Sequence, residues 1–126
     1  MRVDRVAIAN HLTSLYGFDS YLEIGVRNRQ DMFNHILCNV KVGVDPDPNA
    51  QADFEMTSDA FFEAHPERTF DLIFIDGDHT GAQVEKDIAN SLNALNPGGI
   101  ILLHDLNPPT AFHARENFII DDGVRE

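Results

Sequence analysis

The chain is expected to fold as a doubly wound α/β domain, a mostly parallel sheet of about five strands with helices on both faces. Three observations lead there. Short apolar runs alternate with segments of helical periodicity along the chain. The run Leu72-Ile73-Phe74-Ile75 is unbroken, which suits a strand covered on both faces. Nearly all the distinctive polar residues fall just past the apolar runs, at the edge where open parallel sheets bind ligands.

The elements follow in order. Val3, Val6, Ala7, Leu12 and Leu15 recur at helical spacing, which predicts a helix over 3–16 stopped by Gly17. Tyr21-Leu22-Glu23-Ile24-Gly25 reads as a buried strand with one acid. Met32, Phe33, Ile36 and Leu37 are spaced to line a helix, with Asn28 as its N-cap. Residues 40–44 form a second strand, closed by Asp45-Pro46-Asp47-Pro48, where proline forbids further ladder bonds. A weak third strand falls at Phe54-Glu55-Met56, and Ser58 then caps a short helix carrying Phe61 and Phe62. After the strand at 70–76, Thr80 and Gln83 have capping-box spacing. Val84, Ile88, Leu92 and Leu95 lie on one stripe of the following helix, ended by Asn96-Pro97-Gly98-Gly99. The last clear strand covers 100–103 and ends at His104-Asp105.

With 126 residues, the chain is expected to form one domain, 1–126, without linker or repeat. Its net charge of −12 leaves few cations to set against phosphates, so neither nucleic acid nor an anionic membrane surface is expected as a partner. Cys38 is the single cysteine, which excludes an intrachain disulfide and a cysteine-built zinc site. The start of the chain carries no signal peptide or spanning run, and the expected location is cytoplasmic.

The candidate site residues are those just past the strands: Glu23, Gly25, Arg27 and Arg29, then Asp45, then Ser58 and Asp59, then Asp76 and His79, then His104 and Asp105. Asp45 follows Gly25 by about 20 residues, the interval at which an acid meets a ribose in nucleotide-binding α/β folds. A carboxylate can accept from both ribose hydroxyls. The other reading is that Asp45 and Asp47 simply begin Asp-Pro turns.

Taken together, Tyr21–Gly25, Gly43-Val44-Asp45, Phe70–His79, Asn96-Pro97-Gly98-Gly99 and His104-Asp105 resemble the ordered motifs of class I S-adenosylmethionine-dependent methyltransferases. The likeness spans about residues 20–110 and is nearest to small-molecule O-methyltransferases with Ile-Asp-Gly-x-His and His-Asp after successive strands. It implies a Rossmann-like sheet and methyl transfer to an oxygen of a small-molecule acceptor. It places S-adenosylmethionine against Glu23, Gly25, Asp45, Ser58, Asp59 and Asp76. It also implies Mg2+ on Asp76 and Asp105, hard oxygen ligands that suit this ion. His79, His104 and Asp105 are the catalytic candidates for taking the acceptor proton; each histidine has the alternative of only shaping a loop.

Two features depart from the family pattern. Arg27 and Arg29 stand where another glycine is usual, and arginine tolerates positive φ poorly. They either grip the cofactor's carboxylate or partly fill the pocket. After the last strand comes Asp105-Leu106-Asn107, which removes a third metal ligand unless Asn107 reaches in. The competing function is a non-catalytic cofactor-binding or interaction module on the same fold. A nicotinamide enzyme is the poorer rival, because Gly25-Val26-Arg27-Asn28-Arg29-Gln30 lacks G-x-G-x-x-G.

The family's usual C-terminal strand pair is expected to be missing, which would leave a long apolar strand at a bare edge. The chain is then a fragment, or a second subunit covers the edge, or residues 112–120 fold back over it. A truncated or minimal domain that forms a homodimer is the expectation.

Overall fold

Asp4 starts the first helix by accepting from the main-chain N–H groups of Val6 and Ala7, and α1 then runs Arg5–Tyr16. Gly17 ends it in the left-handed conformation, φ 68°, where a side chain would be strained. The structure is a computed structural model that describes residues 4–76, 81–104, 113–114 and 117–121.

Among the described residues, six strands form one sheet: β1 (Ser20–Ile24), β2 (Val40–Val44), β3 (Phe70–Asp76), β4 (Leu95–His104), β5 (His113–Ala114) and β6 (Asn117–Asp121). Their order is β2-β1-β3-β4-β6-β5, and every pairing except β5 with β6 is parallel. The chain moves from β1 to β2 on one side and then to β3 on the other, so the strand order reverses beside β1. That reversal opens a crevice at the carboxyl ends of these strands.

Alternation along the strands divides the core in two. Leu22, Ile24, Ile73, Ile75, Ile101 and Leu103 face α2 (Ser58–Ala64) and α3 (Gly81–Asn93), meeting Phe61, Val84 and Ile88. Tyr21, Leu72, Phe74, Ile100 and Leu102 face α1 and the segment 26–38, meeting Ala9, Met32, Phe33 and Ile36. Helices therefore lie on both faces, as the doubly wound class requires. Cys38 packs in the second cluster with Thr13 Oγ1 at 3.5 Å.

The sheet edge away from the crevice is tied together by Asp71. Its Oδ2 accepts from the N–H groups of Asp19 and Ser20 at 2.8 and 3.3 Å, and its Oδ1 from Asn96 Nδ2 at 2.9 Å. Its own N–H donates to Ser20 Oγ at 3.0 Å. Burial alone would raise the Asp71 pKa, but these donors outweigh it and the net shift is downward.

Six expectations are corrected. Between β1 and β2 the predicted helix is only a single 3-10 turn, Phe33–His35. Asn10 on α1 explains this: its amide donates to His35 O at 2.8 Å and accepts from Leu37 N at 2.9 Å, holding the chain extended just after the turn. Asn28 accepts from Gln30 N and so makes a local turn rather than a helix cap. The third strand reduces to one parallel bridge, Val44 with Phe54. Thr57, one residue before Ser58, caps α2 through Oγ1 and Ala60 N. Residues 96–99 lie inside β4, where the register with β3 shifts and Gly98 takes φ 82°.

The sixth correction concerns the bare edge. Phe118, Ile119 and Ile120 pair with Ile100, Ile101 and Leu102 of β4, so the fold-back is what covers it, with β5 and β6 as a short antiparallel pair. The reason is the pattern: an unbroken apolar triplet suits a strand in a parallel ladder and carries no alternating signal.

Candidate functional site

A cavity of about 420 Å³ opens in the crevice at the carboxyl ends of β1, β2 and β3. Ile24, Gly25 and Arg27 come from β1 and its loop, Val44, Asp45 and Pro46 from β2 and its loop, and Asp76 from the end of β3. Thr57, Ser58 and Asp59 at the start of α2 and Gln83 on α3 form the remaining wall.

The loop after β1 is built by two positive-φ residues. Gly25 at φ 85° hydrogen-bonds Val44 O through its N–H at 2.9 Å. Arg27 takes φ 60°, and Asn28 N donates back to Val26 O across it at 2.5 Å, a three-residue turn that an arginine adopts only under strain. Arg27 thus occupies the backbone conformation that the family pattern gives to glycine. Its guanidinium Nε lies 3.2 Å from Asp76 Oδ2. Arg29 does not line the cavity: it stacks over Phe33, with its Nη1 2.6 Å from Gln51 O and 3.5 Å from Asp53 Oδ1.

Asp45 is 6% exposed and held at both oxygens. Oδ2 accepts from Arg27 N and Oδ1 from Asp47 N, each at 2.8 Å. Each carboxylate oxygen retains a further lone pair, so a rigidly oriented acceptor pair borders the cavity. The turn reading and the acceptor reading of Asp45 are therefore compatible, since the turn is what orients the carboxylate.

Five of the expected cofactor residues, Gly25, Asp45, Ser58, Asp59 and Asp76, come together around this one cavity. Glu23 does not join them. It lies on the α1 face of β1, 1% exposed, with Tyr21 Oη donating to its Oε1 at 2.5 Å. Burial pushes its carboxyl up to about 7, although the Tyr21 hydroxyl and Arg5 favour the ionised form. Asp59 is held below the usual carboxylate range by Lys86, whose Nζ is 2.8 Å from its Oδ2.

His79 and Asp105 lie outside the described residues. Of His104 the backbone is described: it closes β4 opposite Asp76. Among the described residues, no group of three or more His, Cys, Asp or Glu is arranged for a metal ion. Asp76, the expected magnesium ligand among them, is paired with Arg27.

One lining residue escaped the sequence reading. Gln83 was expected only as a capping residue, yet its Nε2 reaches Asp87 Oδ1 at 3.0 Å and Asp59 Oδ1 at 3.3 Å. Arg27 was expected at a glycine's place, either gripping the cofactor's carboxylate or partly filling the pocket, and it takes the left-handed conformation there. Asp87, behind the wall, had a visible signal: it interrupts the apolar stripe of α3 between Val84 and Ile88.

A parallel sheet with its cavity at the strand-order reversal, an acid after β2 and a tight turn after β1 define a Rossmann-like α/β domain. A family model described as "Methyltransferase domain" matches residues 3–106, and the chain belongs to that methyltransferase family. No curated protein and no solved structure gives a match. Among the described residues, no helix is long and apolar enough to cross a membrane.

Proposed function

We propose that this domain binds S-adenosylmethionine in the cavity between β1, β2 and α2 and transfers its methyl group to an oxygen of a small-molecule acceptor. The observation that carries the reading is Asp45, a buried carboxylate fixed by two main-chain donors beside the Gly25 turn. In this reading its remaining lone pairs accept from the ribose hydroxyls, and Gly25 lets the backbone approach the amino-acid end. Ser58 and Asp59 border the base, and Arg27 lies near the amino-acid end, where its guanidinium would meet the carboxylate.

The bound cofactor supplies an electrophilic methyl group. The chain's part is to hold the acceptor oxygen in line with it and to remove that oxygen's proton. His79, His104 and Asp105, just past β3 and β4 in sequence, are the residues proposed for the proton. Asp105→Asn should abolish turnover while leaving cofactor affinity within about twofold.

A second reading, a cofactor-binding module without transfer, draws on the Arg27–Asp76 pair, which places a guanidinium at the cavity. Calorimetric titration with S-adenosylhomocysteine and, separately, NADH tests the cofactor reading. Micromolar binding of the former alone is expected, and tighter binding of NADH would overturn it. Binding with no methyl transfer across a broad panel of hydroxylated acceptors would favour the second reading.

A further inference from the structure

Asp87 is fully buried, 0% exposed, on the face of α3 that packs into the core. Its Oδ1 accepts from Ser58 Oγ at 2.5 Å and from Gln83 Nε2 at 3.0 Å, while its Oδ2 has no hydrogen-bond partner. A buried carboxylate supported at one oxygen by two neutral donors costs stability, and an apolar residue would pack there without that cost. Both donors line the cavity. The acid's contribution therefore lies in what it does to them.

The Ser58 hydroxyl and the Gln83 amide both donate to Asp87 Oδ1, which sets the direction of both contacts. The serine hydroxyl has one proton, and Asp87 takes it. Ser58 Oγ can then offer the cavity only lone pairs. The Gln83 amide group is likewise committed, with Nε2 also 3.3 Å from Asp59 Oδ1 and 3.4 Å from Ser58 Oγ. Asp59 itself is an acceptor, so the side chains of Ser58 and Asp59 present oxygen acceptors and no competing proton.

We infer that Asp87 is a positioning residue that keeps the Ser58 and Asp59 side chains acceptors and so selects a ligand carrying an N–H donor there, an amino-substituted purine over an oxo-substituted one. The inference rests on the cofactor reading above, in which the base lies beyond Asp45 against this wall. A 6-amino purine places a donor where a 6-oxo purine places an acceptor, and an acceptor facing an acceptor leaves both unpaired.

The test uses the full chain and two probes in calorimetry, S-adenosylhomocysteine and its 6-oxo counterpart S-inosylhomocysteine. The wild-type protein should prefer the amino probe by about tenfold or more. Asp87→Asn is nearly isosteric but can donate to Ser58 Oγ, which releases the serine proton toward the cavity. Its preference should fall below about threefold, chiefly through weaker binding of the amino probe and gain for the oxo probe. A residue that only supports the fold would weaken both probes alike and leave the ratio unchanged. Ser58→Ala supplies a second variant and should also lose the preference.

An unchanged ratio in Asp87→Asn, or in Ser58→Ala if the first variant does not fold, overturns the assignment of Asp87 alone. Failure of the wild-type protein to bind either probe overturns the cofactor reading, and this inference with it.

Discussion

The main-chain N–H of Arg27 donates to Asp45 Oδ2 across 2.8 Å, so the strained turn after β1 and the carboxylate after β2 are a single unit. Removing the carboxylate should therefore affect ligand and fold together. Asp45→Ala is expected to weaken S-adenosylhomocysteine about thirtyfold or more, and to destabilise the protein by about 1–3 kcal/mol as the N–H groups of Arg27 and Asp47 lose their acceptor. Calorimetry reads the first effect and denaturant unfolding the second. Normal affinity in the variant would remove Asp45 from the ribose role.

Arg27 holds φ 60°, which costs a residue with a Cβ about 1–2 kcal/mol relative to glycine. Arg27→Gly and Arg27→Ala both lose the contact with Asp76, a pair whose arginine side chain is 52% exposed. Only the glycine variant also releases the backbone strain. The glycine variant should be the more stable by about 1 kcal/mol in urea unfolding. Equal stability would mean that the turn relaxes when the guanidinium is removed.

Glu23 gives the stability a definite pH slope. Burial raises its carboxyl from 4.5 to about 7, so between those values the folded chain holds a proton that the unfolded chain has released. Its stabilising contribution is complete below about pH 4.5 and is lost as the pH rises through about 7. Glu23→Gln should therefore gain on the wild-type protein as pH rises, by on the order of 3 kcal/mol between pH 4.5 and pH 8. Parallel stability curves for the two proteins across that range would refute the shift.

Asn10 binds the backbone on both sides of Ile36, at His35 O and Leu37 N. Asn10→Ala leaves that carbonyl and N–H without their partner, and should destabilise by about 2 kcal/mol with no change in ligand affinity beyond that of a mildly loosened fold. Asn10→Asp restores only the acceptor half and should fall between the two in thermal unfolding.

The same asparagine shows where sequence reading reached its limit. The β1, β2, β3 and β4 strands were legible because short, largely apolar runs bounded by turn residues have few other uses, and Gly17 was legible because a left-handed helix end favours glycine. Met32, Phe33, Ile36 and Leu37 also had helical spacing, but a side chain 25 residues away competes for that backbone, and local periodicity carries no trace of it. Leu37 is consequently 73% exposed rather than on an apolar face.

The site was legible where the sheet fixes it. Gly25, Asp45 and Asp76 are strand-end residues, and strand ends converge in this topology. Glu23 does not line the cavity, because a period of two turns it to the opposite face from Ile24. Gln83 and Asp87 were missed for another reason: they reach the site from helices, through contacts spanning 25 and 29 residues with Ser58. Asp45 illustrates both sides, since its spacing from Gly25 pointed to a ligand while its Asp-Pro context pointed to a turn.

Asp71 bears on the order of assembly. Its contacts with Asp19 and Ser20 close a loop of 51–52 residues, and its contact with Asn96 closes one of 25. The strands on either side of β3 are thus brought into register from one carboxylate, at the end of the sheet away from the cavity. Loop closure is the entropic toll that parallel sheets meet before their ladders reward it. If the clasp forms at the barrier, its loss slows refolding, while changes at the cavity chiefly hasten unfolding. The edge that times folding and the edge that holds the ligand would then be separate, leaving the second free to vary without altering the speed of the first.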